Sequence, residues 1–525
     1  MAPLVRGCPF VSVVPGLTMI SLVKASTLGS GDLSRLEESY HIDRPGPEQA
    51  VLHSTREDSM GTHEKKVKAQ SVTKHSLPAS LQRLNLDAAG IDIGATEHYV
   101  AVPSDRDEKS VRRFGAFTAD LQALAEWLTQ CGIQTVAMES TGVYWIPLFQ
   151  ILEARGFQVF LVNARQVKNV PGRKTDIADC QWLQQLHTYG LLSASFRPED
   201  AICRLRSYLR HRETLIRQAA VHTQHMQKAM NQMNLQLHHV ISDLTGVTGL
   251  SILDAILAGE RDPATLAALK DRRIQSSHET IAKALEGDYR EEHLFVLKQA
   301  LSSYRFCQEH IADCDREVER LLTTFDAKVD VKDHPLPPSK RGNKKPQRNE
   351  PKFDLRTHLY RIAGVDLTQV NGLAVSTAQT IVSEIGLNIH RWPTEKHFAS
   401  WLGLCPDNRI SGGKILKSKT RHVVNRAACA FRLAAQSLKY SQSALGAYYR
   451  RMRARLGAPK AITATAHKLA RIVYHLLKHG QAFVDQGETY YEERYRKNVL
   501  NTLRKRAEAL GYQLIENPAP TEAVS

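Results

Sequence analysis

The chain has 525 residues, which is long for one domain, and 42% of them are hydrophobic, enough for ordinary buried cores. Its net charge of +16 predicts a polyanionic partner, for which nucleic acid is the default. The alternative is a basic protein that has no such partner. The sequence contains no apolar run long enough to predict a membrane-spanning helix. Its eight cysteines are scattered and include no C-x-x-C pair, which argues against a zinc ribbon. The thiols are therefore expected to be reduced and intracellular.

The N-terminal part predicts an extension followed by an α/β domain. Residues 1–85 are rich in Ser, Gly, His and charge, and we expect them to be poorly ordered. Residues 86–195 then predict three strands, a helix, a strand, a helix, a strand and a final helix, DIADCQWLQQLHTYG. A hairpin followed by alternating helices and strands predicts a mixed sheet with helices on its faces. The RNase H-like fold fits this order of elements.

The rest of the chain predicts helices. Residues 196–330 show no strand pattern and predict long helices at about 200–240, 276–286 and 290–325. Residues 331–352 are basic and Pro-rich, as in a linker or surface insertion. A second, mostly helical domain is expected at 353–515, before a tail at 516–525, so the predicted fold class is α/β plus all-α.

Four carboxylates are the first candidate site: Asp92, Glu139, Asp176 and Asp179. Asp92 interrupts an apolar strand, where aspartate is depleted, and Glu139 ends another strand. Asp176 and Asp179 are three residues apart on a predicted helix, so they share one face. Hard oxygen ligands of this kind suit Mg²⁺ or Mn²⁺. The alternative is four ordinary acids, two of them helix N-terminal caps, since Asp176 follows Thr175 at a helix start, where aspartate is favoured anyway.

A serine within a basic segment is the second candidate site. Ser411 opens the sequence SGGK, whose glycines allow a sharp turn and a close approach to a ligand. Five cations follow it and would surround a phosphodiester: Lys414, Lys417, Lys419, Arg421 and Arg426. A serine there could attack phosphorus, but a surface turn in which serine is only a turn former accounts for the same spacing.

A glycine-bearing turn between two apolar-faced helices, residues 359–386, is a third candidate. It resembles a helix-hairpin-helix, a motif whose backbone amides can bind phosphates. Glycine turns between packed helices are common, so a purely structural turn remains open.

Long stretches of the chain resemble one family over about residues 86–515. They are GIDIGATEHYVAV, VAMESTGVYW, NVPGRKTDIADCQWLQQLHTYGLL, HFASWLGLCPDNRISGGK and AITATAHKLARIVYHLL. They resemble the insertion-sequence transposases that have an N-terminal DEDD, RuvC-like domain and a C-terminal Transposase_20 domain. The Piv-type DNA invertases belong with this family, and several members are recombinases guided by a bridge RNA.

The resemblance implies an RNase H-like (RuvC-like) domain, a helical coiled-coil middle and a C-terminal helical domain that carries the serine. It places the DEDD tetrad on Asp92, Glu139, Asp176 and Asp179, with Mg²⁺ or Mn²⁺ as cofactor, and the nucleophile on Ser411. Ser411 would form a covalent phosphoserine with one DNA strand and pass that strand to a new partner. The basic context of the tetrad adds Arg173 and Lys174 to the expected nucleic-acid contacts.

The resemblance also implies the partners: donor and target DNA, a guide non-coding RNA and further copies of the chain, as a dimer or tetramer. No membrane is expected, and the location would be the bacterial cytoplasm at the nucleoid. Two alternative functions remain. One is a hydrolytic nuclease or junction resolvase in which the carboxylates activate water, and the other is a nucleic-acid-binding protein without catalysis.

Overall fold

A computed structural model describes residues 83–163, 175–339, 349–421, 423–480 and 483–515. Most of the predicted N-terminal extension, the centre of the basic insertion and the tail from residue 516 lie outside these ranges. No described helix combines the length and apolar character needed to cross a bilayer.

The N-terminal part contains a five-stranded mixed sheet. Its strands are β1 Ala88–Ile93, β2 Glu97–Ala101, β3 Val111–Gly115, β4 Thr135–Glu139 and β5 Gln158–Val162. The spatial order is β3-β2-β1-β4-β5. The first three strands are antiparallel, whereas β1, β4 and β5 are parallel, so the predicted mixed sheet is confirmed.

Helices cover both faces of this sheet. They are α1 Thr118–Gln130, α2 Trp145–Ala154 and α3 Asp176–Thr188. Ile91 of β1 and Met138 of β4 belong to the core that includes residues of α1 and α2. Ala137 and Val162 point to the opposite face, where they cluster with Leu183 of α3. Because side chains alternate along a strand, each strand contributes to both cores.

Two long helices dominate the middle of the chain, α4 Asp200–Gln232 and α9 Glu291–Thr323. They pack antiparallel, since residues early in α4 meet residues late in α9. The buried Arg212 of α4 donates to both carboxylate oxygens of Asp315 on α9, at 2.6 and 3.3 Å. Short helices lie between them: α5 Leu237–Val240, α6 Val247–Leu257, α7 Pro263–Ala268 and α8 His278–Lys283.

The C-terminal part is mostly helical, as expected, and has one large core. Its helices are α10 Leu355–Ala363, α11 Val375–Ile385, α12 Glu395–Trp401, α13 Arg426–Ser437, α14 Ala444–Leu456, α15 Ala458–His479 and α16 Gly487–Ala509. Arg206 of α4 joins this part to the middle helices by donating to the carbonyl oxygens of Ser383 and Glu384, at the end of α11.

One feature differs from the sequence-based expectation, and one alternative left open there gains a structural explanation. A β-hairpin, β6 Pro406–Ser411 and β7 Lys414–Thr420, was not predicted within the helical domain. The turn between α10 and α11 also has a packing role: Gly372 has φ 92°, and a Cβ there would stand 2.7 Å from the carbonyl oxygen of Ala434 on α13. The fit of this turn against α13 accounts for the glycine without a bound phosphate.

Candidate active site

Asp92 and Glu139 lie at the same edge of the sheet. Their strands β1 and β4 are parallel neighbours, and Ile91 pairs with Met138, one step before the two acids. The carboxyl ends of the two strands therefore coincide. Because side chains alternate along a strand, Asp92 and Ile91 lie on opposite faces of the sheet. Helix α3 covers the face that carries Asp92.

Helix α3 can approach β1 closely because Gly90 of β1 has no side chain. A Cβ on Gly90 would stand 2.2 Å from the backbone nitrogen of Gln184 and 2.4 Å from the carbonyl oxygen of Cys180. The helix backbone thus rests directly on the strand. The Gln184 side chain also donates to the carbonyl oxygen of Ala88, at 3.3 Å.

The first turn of α3 carries Asp176 and Asp179. Thr175, rather than Asp176, caps the helix, and its hydroxyl accepts from the backbone N–H of Ala178 at 3.2 Å. Asp176 is therefore not needed as the cap. Burial, together with the nearby carboxylates of Asp92 and Asp179, raises the pKa of the Cys180 thiol to about 12.

A cavity of about 260 Å³ brings three of the four predicted acids together: Asp92, Glu139 and Asp176. Asp179 is not part of its lining. Glu97 and Tyr99, which were not predicted from the sequence, also line the cavity. Tyr99 lies opposite Asp92 across β1 and β2, and its hydroxyl donates to Glu97 at 3.3 Å. Alternation along β2 is the signal that could have identified both residues.

The donor chemistry of the cavity fits a hard divalent cation, because carboxylate oxygens and a threonine hydroxyl, Thr141, line it. In the described part of the chain, however, no three Asp, Glu, His or Cys side chains stand close enough together to hold one ion. The acids share a cavity but do not form a complete coordination site for one ion.

Ser411 is at the tip of the hairpin β6–β7. It pairs with Lys414 across a two-residue turn, Gly412–Gly413, whose φ angles are 53° and 76°. Such a turn requires positive φ at both positions, which glycine adopts most easily. The sharp turn inferred from SGGK is therefore confirmed, and Ser411 lies at its start. Every strand residue of the hairpin is exposed.

The pairing register divides the hairpin into two faces. Ser411 shares one face with four cations and one acid: Arg409, Lys414, Lys417, Lys419 and Asp407. Ile410 and Ile415 pair on the other face and are 63% and 61% exposed. The serine thus belongs to the basic face, and an apolar surface lies behind it.

The other predicted basic residues are placed differently. Arg421 donates to the carbonyl oxygen of Ser400 at 2.7 Å, and Arg426 forms an ion pair with Glu213 of α4 at 2.5 Å. A phosphate would have to compete with Glu213 for Arg426. Arg173 and Lys174 lie outside the described residues.

The structure does not bring Ser411 to the acids. The described lining of the carboxylate cavity includes no residue of the hairpin. The two candidate sites are therefore separate features of the described chain.

Two family models match these regions. The IS110 DEDD transposase model matches residues 89–235, which include the sheet and its carboxylate cavity. The Transposase_20 model, of the IS116/IS110/IS902 transposase family, matches residues 365–450, which include Ser411 and its hairpin. No curated protein shows a significant match. The DEDD match suggests dependence on a divalent metal ion. Together the two matches support an IS110-type transposase, and they indicate that the chain is a DNA transposase or recombinase enzyme.

Proposed function

We propose that this enzyme cuts and rejoins DNA strands through a phosphoserine intermediate on Ser411. The observation that carries the proposal is the position of Ser411 on the exposed basic face of the hairpin, beside Arg409, Lys414 and Lys417. Those cations would attract a phosphodiester and neutralise charge that develops on it. The two glycines of the turn add no side chain that could keep a DNA strand away.

In this reaction the Ser411 Oγ forms a bond to phosphorus while the bond from phosphorus to a deoxyribose oxygen breaks. The seryl proton passes to a base or water, and the departing oxygen takes up a proton. A hydroxyl of a second strand then reverses the exchange. The ester linkage preserves the bond energy, so the reaction needs no energy cofactor.

Asp92, Glu139 and Asp176, with Asp179 adjacent on α3, would draw together around Mg²⁺ or Mn²⁺, because in the free chain they share a cavity but do not stand close enough to hold one ion. The ion would polarise the phosphate and orient it. Gly90 supports this arrangement by letting α3 dock on β1, and Thr141 contributes a hydroxyl that can donate to a phosphate oxygen in an otherwise acidic cavity.

Because the described cavity contains no part of the hairpin, the acids and Ser411 need an assembly step in order to act together. We propose a dimer or tetramer for this step. Both sites carry exposed apolar residues that suit protein contact: Val143, Tyr144 and Ile177 near the acids, and Ile410, Ile415 and Leu416 on the hairpin. The coiled-coil middle, α4 and α9, is a further candidate for such contacts.

A guide non-coding RNA is proposed as an additional partner, with the bacterial nucleoid as the place of action. The support for both is the resemblance of the motifs to the bridge-RNA-guided recombinases and the net charge of +16, which suits polyanionic ligands.

Covalent trapping tests the serine mechanism. The full-length enzyme is incubated with nicked DNA in Mg²⁺, and the modified peptide is mapped by mass spectrometry. We expect an adduct on Ser411, and we expect Ser411→Ala to bind DNA normally without forming one. Ser418→Ala is the matched control, because Ser418 belongs to the same hairpin but to its opposite face. An adduct on another residue, or normal recombination by Ser411→Ala, would refute the mechanism.

A hydrolytic nuclease is the second candidate function, since the acids form their cavity without Ser411. In that mechanism the carboxylates would activate water. DNA cleavage without any protein–DNA adduct would favour it.

A further inference from the structure

The last described helix, α16, is 23 residues long and contains no buried residue. Its first turns are anchored on α14: Glu488 pairs with Arg450 at 2.5 Å, and Glu492 pairs with Arg451. The Arg451 guanidinium also lies over the ring of Tyr495. Beyond this anchor, residues 496–498 and 501–506 are all exposed. The distal half of α16 is therefore a helix that the rest of the described chain does not cover.

This distal half is strongly basic. Residues 494–507 contain six cations and no acid. Exposed helices that serve only solubility usually mix both signs of charge, because opposite charges three or four residues apart stabilise the helix. A stretch with one sign of charge is instead destabilised by repulsion, and an anionic ligand would relieve that repulsion.

The cations are not spread evenly around the helix. Spacing by three and four residues places Arg494, Lys497, Arg504 and Lys505 on one face, with the single acid Glu508 at its C-terminal end. Asn501 lies in the middle of this face, with Asn498 beside it. The opposite face carries Val499, Leu503, Ala507 and Leu510, and Arg496 and Arg506 point away from the basic face.

A neighbouring residue extends the same positive surface onto α15. Lys468 lies over the ring of Tyr448, with 4.4 Å between its Nζ and the ring centroid. Burial, followed by the nearby charges of Arg494 and Arg471, lowers the pKa of Lys468. Positive groups thus accumulate where α16 meets α15, although charge repulsion disfavours this in the free protein.

We propose that the face formed by Arg494, Lys497, Asn501, Arg504 and Lys505, the basic face of α16, binds duplex DNA in the major groove. The major groove of B-form DNA admits an α-helix, whereas the deep, narrow groove of A-form RNA does not. The cations would contact phosphates on both sides of the groove, and the asparagines can pair with the edge of adenine. The inference rests on the proposed function only in taking DNA as the ligand, and it is independent of Ser411 chemistry.

Two double variants that remove equal charge from α16 test the proposal in the full-length protein. Lys497→Ala/Arg504→Ala removes two cations from the basic face, and Arg496→Ala/Arg506→Ala removes two from elsewhere on the helix. Affinity for an uncut, mixed-sequence DNA duplex is measured over a range of salt concentrations, and an RNA duplex of the same sequence is the second probe. Circular dichroism verifies that both variants keep their helix content.

We expect the basic-face variant to lower the slope of log affinity against log salt by about 2, since each lost phosphate contact removes roughly 1. The control variant should change it little, and RNA affinity should not distinguish the two. Equal losses in both variants, no loss in either, or an equal loss for RNA would each overturn the proposal. Because binding is measured on uncut DNA, a failure to find the Ser411 adduct would leave this result unaffected.

Discussion

The close packing of α3 on β1 leads to a specific prediction for Gly90→Ala. The added Cβ would stand 2.2 Å from the backbone nitrogen of Gln184. Since unbonded heavy atoms pack at about 3.5 Å, α3 must move away from β1 by about 1 Å. Asp176 and Asp179 move with the helix, away from Asp92. A displacement of about 1 Å in a catalytic group can cost on the order of 100-fold in rate, and overpacking costs about 1–3 kcal/mol of stability.

The assay for Gly90→Ala compares the rate of DNA strand transfer with the affinity for uncut DNA, at a temperature where the variant is folded. Strand transfer should fall on the order of 100-fold, as above, while DNA affinity changes little.

Gly156→Ala is the control for Gly90→Ala. Gly156 has φ 86° and no atom within 4 Å of its added Cβ. This change costs about 1–2 kcal/mol through backbone strain without displacing α3. If both variants lose the same activity, stability alone accounts for the loss, and the claim that α3 positions the acids is refuted.

Three further predictions concern Asp92, two lysines of the hairpin and His187. Asp92→Asn should lower the rate of strand transfer on the order of 100-fold or more without weakening DNA binding. Full activity of this variant in Mg²⁺ would contradict a role for Asp92 in the metal site. Lys417→Ala/Lys419→Ala should lower the salt slope of DNA affinity by about 2, and an unchanged slope would show that these lysines do not meet phosphates. The third prediction is acid sensitivity at His187 of α3: burial lowers its pKa to about 4, so the folded protein keeps it neutral, while unfolding restores an ordinary pKa near 6.5. The free energy of unfolding should therefore be highest above pH 6.5 and should fall by up to ~3 kcal/mol toward pH 4. Thermal unfolding should show a smaller decrease for His187→Gln, and identical pH profiles for the variant and the wild type would contradict the prediction.

The environment of His187 supports the neutral form. The side chain is 1% exposed, and its Nε2 lies 2.8 Å from the hydroxyl of Thr135. That hydroxyl donates to the carbonyl oxygen of Gln158 at 3.0 Å, so it accepts from His187. The imidazole thus has a hydrogen bond that needs no positive charge.

The sheet and most of the carboxylate cavity could be predicted from the sequence, because they leave a local signal. Apolar residues surround Asp92 in β1, and the first turn of α3 follows a threonine cap. The contributions of Glu97 and Tyr99 depend on register across β1 and β2, which a single strand does not display. The close contact at Gly90 depends on how α3 crosses the sheet, and a glycine within a strand can equally mark a bulge or a bend.

The hairpin β6–β7 escaped prediction for a physical reason. Strands are recognised by alternation between a buried and an exposed face, and this hairpin buries neither face. Only the Gly412–Gly413 turn gave a local signal, and it fits a hairpin as well as a loop between helices.

The exposure of this hairpin has a consequence for fidelity. A two-stranded ribbon that buries neither face is at best marginally stable in water, so the shape of its tip depends on whatever surface it meets. Under the serine mechanism proposed above, the nucleophile would be latent in the free protein and would become competent only when DNA and protein support both faces at once. In that mechanism a wrong DNA sequence that fails to complete this support would leave Ser411 poorly aligned, which would be discrimination by induced fit. An enzyme that works in this way would remain bound to DNA for long periods with little accidental cutting.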